Sequence, residues 1–551
     1  MSSKMGREFS PLFRQLLRAR GLGNQKESTE FLYPKYEKVS NAGLLPDIDK
    51  AVERIKQAVL RHEKVMIFGD YDVDGITATA LLLDALGSLG LKNLAYDLPE
   101  RTSDGYGLPA RVVEKIKQEQ IKLLITVDCG SSNADIVKEI GQLGVDVIIT
   151  DHHDVAGELP EAVAVVNPKR KDSRYPFRNL SGVGVAFKLV LALQKQLEGL
   201  PSGQEKWLLD LVALGTICDQ MELTGENRTY VFYGLKVLEK TRRAGLRALK
   251  EVVKVNKMSS FAVGFLLGPR INAAGRMSSP RLALELLTVK SKSEAMGLAQ
   301  EVDELNAERR NMQEEALKFI EQQQIDEQED VVFVHKADWH EGVIGIIASK
   351  VVEKYQKPAF VFTGEDELKC SARSFGDFSV AEAIFHAKKL LIKGGGHAGA
   401  GGLTIKSKHF LTLKKMTGEF YQSLKLANQQ KFFDVRAEIE TAELAPLSEA
   451  FLAELELLAP FGEGNPEPVI LLKDVLVLDV RGMGTENQHL KLTVRGRDGV
   501  ILKLVAFFAP KAWFVAEGEP VRAWVTLIEN KWNGVTTVEA RILKLEATGD
   551  V

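Results

Sequence analysis

The stretch VMIFGDYDVDG, residues 65–75, sets four consecutive apolar side chains, Val65 to Phe68, against three aspartates, Asp70, Asp72 and Asp74. A short apolar run closed by glycine reads as a buried strand that delivers the carboxylates at its C-terminal end. The same pattern recurs further along: LLITV (123–127) precedes Asp128, VDVIIT (145–150) precedes Asp151-His152-His153, and VAVVN (163–167) ends at Asn167. Helical patterns separate these runs. Strands alternating with helices predict an α/β fold with a parallel sheet. Ligands of such sheets bind beyond the carboxyl ends of the strands, where three of the acidic motifs fall. Asp219 differs, because LLDLVALGTIC (208–218) before it reads as the end of a buried helix.

So many carboxylates need a counter-charge, since like charges in a low-dielectric site push one another toward the neutral form. Divalent cations supply it most simply, and oxygen-rich ligation with one or two imidazoles suits Mn²⁺ or Mg²⁺. Two such ions a few Å apart are the usual apparatus of phosphoester hydrolysis. Asp70-x-Asp72-x-Asp74-Gly75 also opens like a calcium-binding helix–loop–helix. It fails that test at the twelfth position, where Leu81 stands in place of a bidentate carboxylate, and because a strand precedes it. His152 and His153 point opposite ways on an extended chain, so one can ligate metal while the other faces a phosphate oxygen.

At 551 residues, with 45% apolar and 27% charged content, the chain is an ordinary globular one of three or four domains. No stretch approaches the ~20 apolar residues of a membrane span, the longest being short runs such as Phe261–Gly268. MSSKMGREFSPLF at the start lacks a secretory apolar core, and the three cysteines, Cys129, Cys218 and Cys370, fit a reducing compartment, so a cytoplasmic protein without membrane attachment is expected. A net charge of −3 confines any nucleic-acid surface to local patches. Lys240–Lys257 and Lys388–Lys393 are candidates, although such runs are also ordinary solvated helix faces.

Past Pro280 the segment 294–324 is helical in propensity and predicts a long connecting helix. A second α/β unit follows, with VVFVH (331–335) as a strand and GVIGIIASKVVEKY (342–355) as an amphipathic helix. Here Arg276 and Arg373 can fork onto a phosphate, and the glycines 394–396 before His397 suggest an anion-cradling loop. From about residue 430 the pattern turns to short alternating runs, which predict a small β-barrel. Its Phe507, Phe508, Trp513, Trp524 and Trp532 are either base-stacking residues or barrel core. The organisation expected is an N-terminal helical segment (1–45), an α/β catalytic domain (46–225), a helical connector (226–328), a smaller α/β domain (329–428) and a β-barrel (429–551).

GDYDVDG, TVDCG, TDHHD and TICDQ, followed by NAAGRMSS (272–279), WHEGVIGIIASK (339–350), SARS (371–374) and GGGHAGAGG (394–402), resemble in kind and order the motifs of the DHH phosphoesterase family. The likeness spans about residues 46–405 and is strongest to the family's single-strand-specific exonucleases, whose C-terminal oligonucleotide-binding barrel also matches the pattern here. That resemblance implies a 5′-to-3′ exonuclease of DNA repair and recombination, degrading single-stranded DNA to 5′-mononucleotides with two Mn²⁺ or Mg²⁺ ions. It implies Asp72, Asp74, Asp128, His152 and Asp219 as metal ligands, Asp128 as a bridge, and Asp70, Asp151 and His153 beside the metals. Arg276, Ser371, Arg373 and His397 correspond to substrate-facing positions. A monomer working with a single-strand-binding protein and a helicase is implied as well. The rivals are a phosphodiesterase of the same family acting on nanoRNA or cyclic dinucleotides, which the extra barrel argues against, and an inactive nucleic-acid-binding scaffold, which would have lost acidic ligands that all stand here.

Overall fold

The computed structural model describes residues 9–548 except 156, 324, 326–327, 425–434, 486 and 533. The chain separates into two compact units, one of residues 40–221 and 225–432, the other of 1–39, 222–224 and 433–551.

The first unit carries two sheets. In one, β1 (Val65–Gly69), β2 (Leu94–Asp97), β3 (Leu123–Val127), β4 (Asp146–Thr150) and β5 (Ala164–Val166) lie in the order β2-β1-β3-β4-β5, all parallel. β1 and β3 are buried along their whole length, which explains their unbroken apolar sequence. β2 has no such run, and its sequence LAYD is half-exposed and carries no strand signal. Asp72 caps the helix Val73–Ser88 that leaves β1, accepting the N–H groups of Asp74 at 2.9 Å and Gly75 at 3.1 Å. Helices then run from Gly225 to the 31-residue helix Lys292–Gln322, capped by Ser291.

That long helix leads to the second sheet: β6 (Val332–His335), β7 (Ala359–Thr363), β8 (Glu367–Arg373), β9 (Leu391–His397) and β10 (Ala400–Lys406), ordered β6-β7-β8-β10-β9. The glycine stretch 394–396 is a strand here rather than the expected loop. It pairs antiparallel with β10 because glycines on both strands let the backbones register without side-chain crowding, as at Gly396 opposite Gly401 and Gly395 opposite Gly402. Part of the basic stretch 240–257 is consumed internally. Arg243 pairs with Asp84 and Asp210, Arg242 lies over the Trp207 ring, and Lys250 donates to the carbonyls of Leu238 and Glu239.

In the second unit β11 (Ile439–Thr441) runs parallel to β12 (Ile470–Met483). A closed barrel follows through β13 (His489–Arg495), β14 (Ile501–Ala506), β16 (Val535–Ala547) and β15 (Pro520–Trp532), which returns to β12. Its core includes residues from the other end of the chain. Phe13, Leu16, Leu17 and Leu32, on the helices Pro11–Ala19 and Gln25–Leu32, pack with Leu472, Leu492 and Val525. Ser10 donates from N and Oγ to Glu454, at 2.9 and 2.5 Å, and Arg20 forks onto Glu438 at 2.6 and 2.8 Å. Trp513 packs against this core, whereas Phe507 and Phe508 stand exposed at 64% and 79%. The Trp532 side chain and the 428–429 boundary lie outside the described residues. No helix among the described residues is long and apolar enough to cross a membrane.

Candidate metal and phosphate site

The acidic motifs converge at the carboxyl edge of the parallel sheet. Asp70 follows β1, Asp128 follows β3 and Asp151 follows β4, while Asp219 caps the end of the helix Leu209–Cys218. Asp128 is held at φ 60°, a left-handed conformation that few non-glycine residues adopt, and its N–H donates to the Thr150 carbonyl at 2.9 Å. Asp74 receives the N–H groups of Gly182 (2.6 Å) and Val183 (2.9 Å), so its carboxylate sits on the N-terminus of the helix Gly182–Leu193.

His152 Nε2 is 3.0 Å from Asp128 Oδ1, 3.6 Å from Asp219 Oδ2 and 3.9 Å from Asp74 Oδ2. The donors fall into three overlapping groups able to hold a cation, each with ligand atoms within 4.8 Å of one another: Asp128, His152 and His153; Asp74, His152 and Asp219; Asp70, Asp72 and Asp128. Sharing of Asp128 and His152 between groups suits two neighbouring ions. Asp70 Oδ1, Asp128 Oδ1 and His152 Nε2 are buried without a hydrogen-bond partner among the described residues. Such atoms are rare in folded proteins and fit donors reserved for metal.

Electrostatics point the same way. Burial pushes Asp70 and Asp128 well above the usual carboxylate range, aided by neighbouring carboxylates, and takes Asp74 up to about 7 and Asp219 up to about 8. Burial also pushes His152 down to about 3, which keeps its ring neutral and ligand-competent. Asp151 differs: although buried, it is held low by the His153 hydrogen bond and charge and by the N–H of Ser131. It accepts His153 Nδ1 at 2.8 Å and carries that ring up to about 9 against the cost of burial.

The second sheet contributes a guanidinium, Arg373, and a histidine, His397. Arg373 and His397 both stand opposite Ala400, on flanking strands of one sheet, so they share a face two strand spacings apart. Ser371 lies on that face too, with Arg373 Nη1 donating to its Oγ at 3.2 Å. Arg276 Nη1 donates to the Gly342 carbonyl at 3.1 Å. Burial and the neighbouring charges of Arg101, Arg309 and Arg373 bring Arg276 down to about 9; burial and Arg101 lower Arg373. Arg101, stacked 4.1 Å over the Tyr71 ring, belongs to the same group. None of Arg101, Arg276 and Arg373 forms an ion pair among the described residues, which suits an absent anion. The structure thus brings the eight acidic and histidine residues together and sets Arg276, Ser371 and Arg373 near Arg101. His397 shares only the sheet face, exposed on the edge strand.

Sequence reading missed Arg101, Tyr106 and two glycines. Tyr106 Oη lies 2.9 Å from His153 Nδ1. A Cβ on Gly182 would lie 2.5 Å from Asp128 Oδ1, and one on Gly215 would lie 2.6 Å from Asp74 Oδ1. The acidic and histidine motifs at the ends of apolar runs, together with the family motifs, flagged the site in sequence; single glycines in helical patterns gave no signal.

A parallel sheet with this acidic edge, joined through helices to a second, mixed sheet that bears Arg373, defines a DHH-type phosphoesterase. The chain matches the family models for the DHH family, N-terminal domain, at residues 64–216, the DHHA1 domain at 328–424 and the RecJ OB domain at 439–544. Single-stranded-DNA-specific exonuclease RecJ of Bacillus subtilis is 37% identical over 88% of this chain and 62% of the relative, so the chain spans under two thirds of that protein's length. The protein of the same description from Haemophilus influenzae is 34% identical over 90% of this chain and 89% of its own. The crystal structure of RecJ in complex with Mn²⁺ from Thermus thermophilus superposes with a TM-score of 0.83 at 30% identity, covering 97% of this chain and 76% of that one. Its Mg²⁺ complex gives 0.77 at 28%, over 98% and 75%. The chain belongs to the RecJ family.

Proposed function

We propose that the chain is a metal-dependent exonuclease that hydrolyses single-stranded DNA from the 5′ end to 5′-mononucleotides. The observation that carries this reading is the meeting of a buried carboxylate–histidine cluster, in which Asp70 Oδ1, Asp128 Oδ1 and His152 Nε2 have no hydrogen-bond partner among the described residues, with arginines that form no ion pair there. The acidic turn and the arginine helix abut, since a Cβ on Gly275 would lie 3.1 Å from the Tyr71 carbonyl oxygen.

In this reading Asp72, Asp74, Asp128, His152 and Asp219 hold two Mn²⁺ or Mg²⁺ ions, with Asp70 and His153 within reach of the same positions. The ions supply Lewis acidity, depressing the pKa of bound water and offsetting phosphate charge. Asp151 fixes the His153 ring and keeps it charged at neutral pH, where it faces a phosphate oxygen. Arg276 and Arg373, with Arg101, offset the charge that develops on the non-bridging oxygens, while Ser371 and His397 serve as hydrogen-bonding groups. Residues 46–225 then form the catalytic domain, 226–328 the connector, 329–428 the phosphate-facing domain and 429–551 the strand-binding barrel, with exposed Phe507 and Phe508 available to stack on bases. The polarity, a monomeric state, and work beside a single-strand-binding protein and a helicase in repair and recombination rest on the family resemblance, and a cytoplasmic location rests on the three free cysteines.

The test is digestion of a long single strand labelled at either end, alongside blunt duplex and RNA of the same sequence, with Mn²⁺, Mg²⁺ or EDTA. Metal-dependent release of mononucleotides from the 5′ end of the single strand alone is expected. Hydrolysis confined to di- to pentanucleotides would replace this reading with a small-substrate phosphodiesterase.

A further inference from the structure

A cavity of about 650 Å³ lies beside the arginine group, lined by Thr102, Glu315, Asp338, Trp339, His340 and Glu341 among others. That volume is typical of small-molecule sites, about 300–1,000 Å³. Two links tie it to the phosphate-facing cations. Thr102 follows Arg101 in the chain, and the Gly342 carbonyl that accepts Arg276 lies between Glu341 and Val343, both in the cavity wall.

The lining chemistry selects against a phosphate and for a base. The wall carries three carboxylates, Glu315, Asp338 and Glu341, against one lysine, Lys336, so its net charge disfavours an anion. Asp338 is engaged by Lys336 at 3.1 Å and Glu341 by Lys369 at 2.5 Å, whereas the exposed Glu315 forms no ion pair among the described residues and remains an acceptor for an exocyclic amino group. His340 Nδ1 accepts the Gly342 N–H at 3.1 Å, so in the neutral ring Nε2 carries the proton and donates. Trp339 is held by edge-on packing against Phe319, centroids 5.7 Å apart, and by its carbonyl accepting Thr363 Oγ1 at 2.5 Å, yet it remains half-buried with surface in the cavity. A preordered aromatic surface with a few polar groups around it is a base-stacking site.

We propose that this cavity takes the base of the terminal nucleotide whose phosphate rests on Arg276 and Arg373, stacked on Trp339. The assignment rests on the nuclease reading above. It makes the terminal base, and not only the sugar–phosphate backbone, a part of substrate recognition.

Two measurements test it. In EDTA, equilibrium dialysis of the full chain against deoxyadenosine 5′-monophosphate and deoxyribose 5-phosphate should give binding of the nucleotide tighter by on the order of tenfold. Trp339→Ala should erase that advantage and Trp339→Phe should keep most of it. With metal, Trp339→Ala should lose on the order of tenfold in kcat/KM on a normal strand and little on a strand whose terminal nucleotide is abasic. Equal losses on both strands, or equal binding of the two small ligands by the unaltered chain, would overturn the base subsite. Cleavage of normal and abasic strands at the same rate by the unaltered chain overturns the subsite and leaves the nuclease reading intact; failure to cleave either overturns both.

Discussion

Gly182 and Asp128 are packed so closely that a single added carbon does not fit between them: a Cβ on Gly182 would stand 2.5 Å from Asp128 Oδ1 and 2.6 Å from its Cβ. The helix that begins at Gly182 also supplies the two N–H groups that hold Asp74, so one glycine sets the spacing of two carboxylates, one in the helix after β1 and one at the end of β3. Gly182→Ala is expected to fold and to lose about 10²-fold in turnover on single-stranded DNA, the scale on which an ångström of misplacement acts. Steady-state kinetics beside circular dichroism checks this; undiminished turnover would show that the packing is not needed for the chemistry.

Asp128→Asn separates two effects that wild-type behaviour combines. Its carboxyl is held well above the usual range by burial and by Asp74, Asp72, Asp219 and Asp70, so a neutral amide relieves that cost at every pH where the carboxyl ionises in the metal-free chain. The melting temperature in EDTA should rise by a few degrees while stabilisation by Mn²⁺ shrinks and turnover is abolished. Thermal melts with and without Mn²⁺ read out both, and a correctly folded variant that still turns over would remove Asp128 from the metal set.

The pH dependence of the metal-free chain follows from the same cluster. Asp74 at about 7 and Asp219 at about 8 lie above the unfolded aspartate value near 3.9. Their contribution is therefore complete below about pH 4 and is lost as pH rises through 7 to 8. His153, raised to about 9 from an unfolded value near 6.5, loses its contribution over the same upper range. His152, lowered to about 3, acts only below its unfolded value and does not oppose the trend above pH 6.5. Melts in EDTA should fall between pH 6.5 and 9, and Mn²⁺ should narrow or invert the difference because it binds the deprotonated ligands. A flat profile in EDTA would contradict the mutual repulsion.

Phe507 and Phe508 offer exposed rings on the barrel, with His489 edge-on to both at 5.4 and 4.9 Å. If they track the strand, the Phe507→Ala, Phe508→Ala pair should raise KM on a long oligonucleotide about tenfold and leave a trinucleotide unaffected, given base stacking worth about 1–3 kcal/mol. Parallel changes on both substrates would assign the rings to barrel stability.

The parts of the fold legible in sequence are those where physics is local. VMIF and LLITV read as strands because both faces of the sheet are covered, and the long helix at 292–322 read from propensity alone. The acidic motifs were legible because carboxylates at strand ends are costly without a purpose. β2 was not, since LAYD is short and half-exposed. The glycine run before His397 looked like a cradle and is a strand, because glycine signals freedom without saying how it is used. Arg101, Gly182 and Gly215 act through partners distant in sequence, and no local pattern marks such a contact.

Leu16 and Leu17 show the largest such distance, lying in the core of a barrel built from the opposite end of the chain. Leu16→Ala should cost about 2–5 kcal/mol, as a buried leucine in any core does, with the loss visible in near-ultraviolet circular dichroism of the barrel tryptophans. An unchanged melt would mean that the barrel stands without these helices.

Ser10 and Glu454, joined by two hydrogen bonds, are separated by 444 residues. During synthesis, the helices that carry Phe13, Leu16 and Leu32 emerge long before the strands that shelter them. The sheets of the other unit have no such dependence and can form while translation continues. Until synthesis reaches the barrel, those apolar faces remain clients for a chaperone, and a transcript cut short in the barrel would leave them permanently uncovered. Burial of these helices is thus a chemical record that the barrel strands were made.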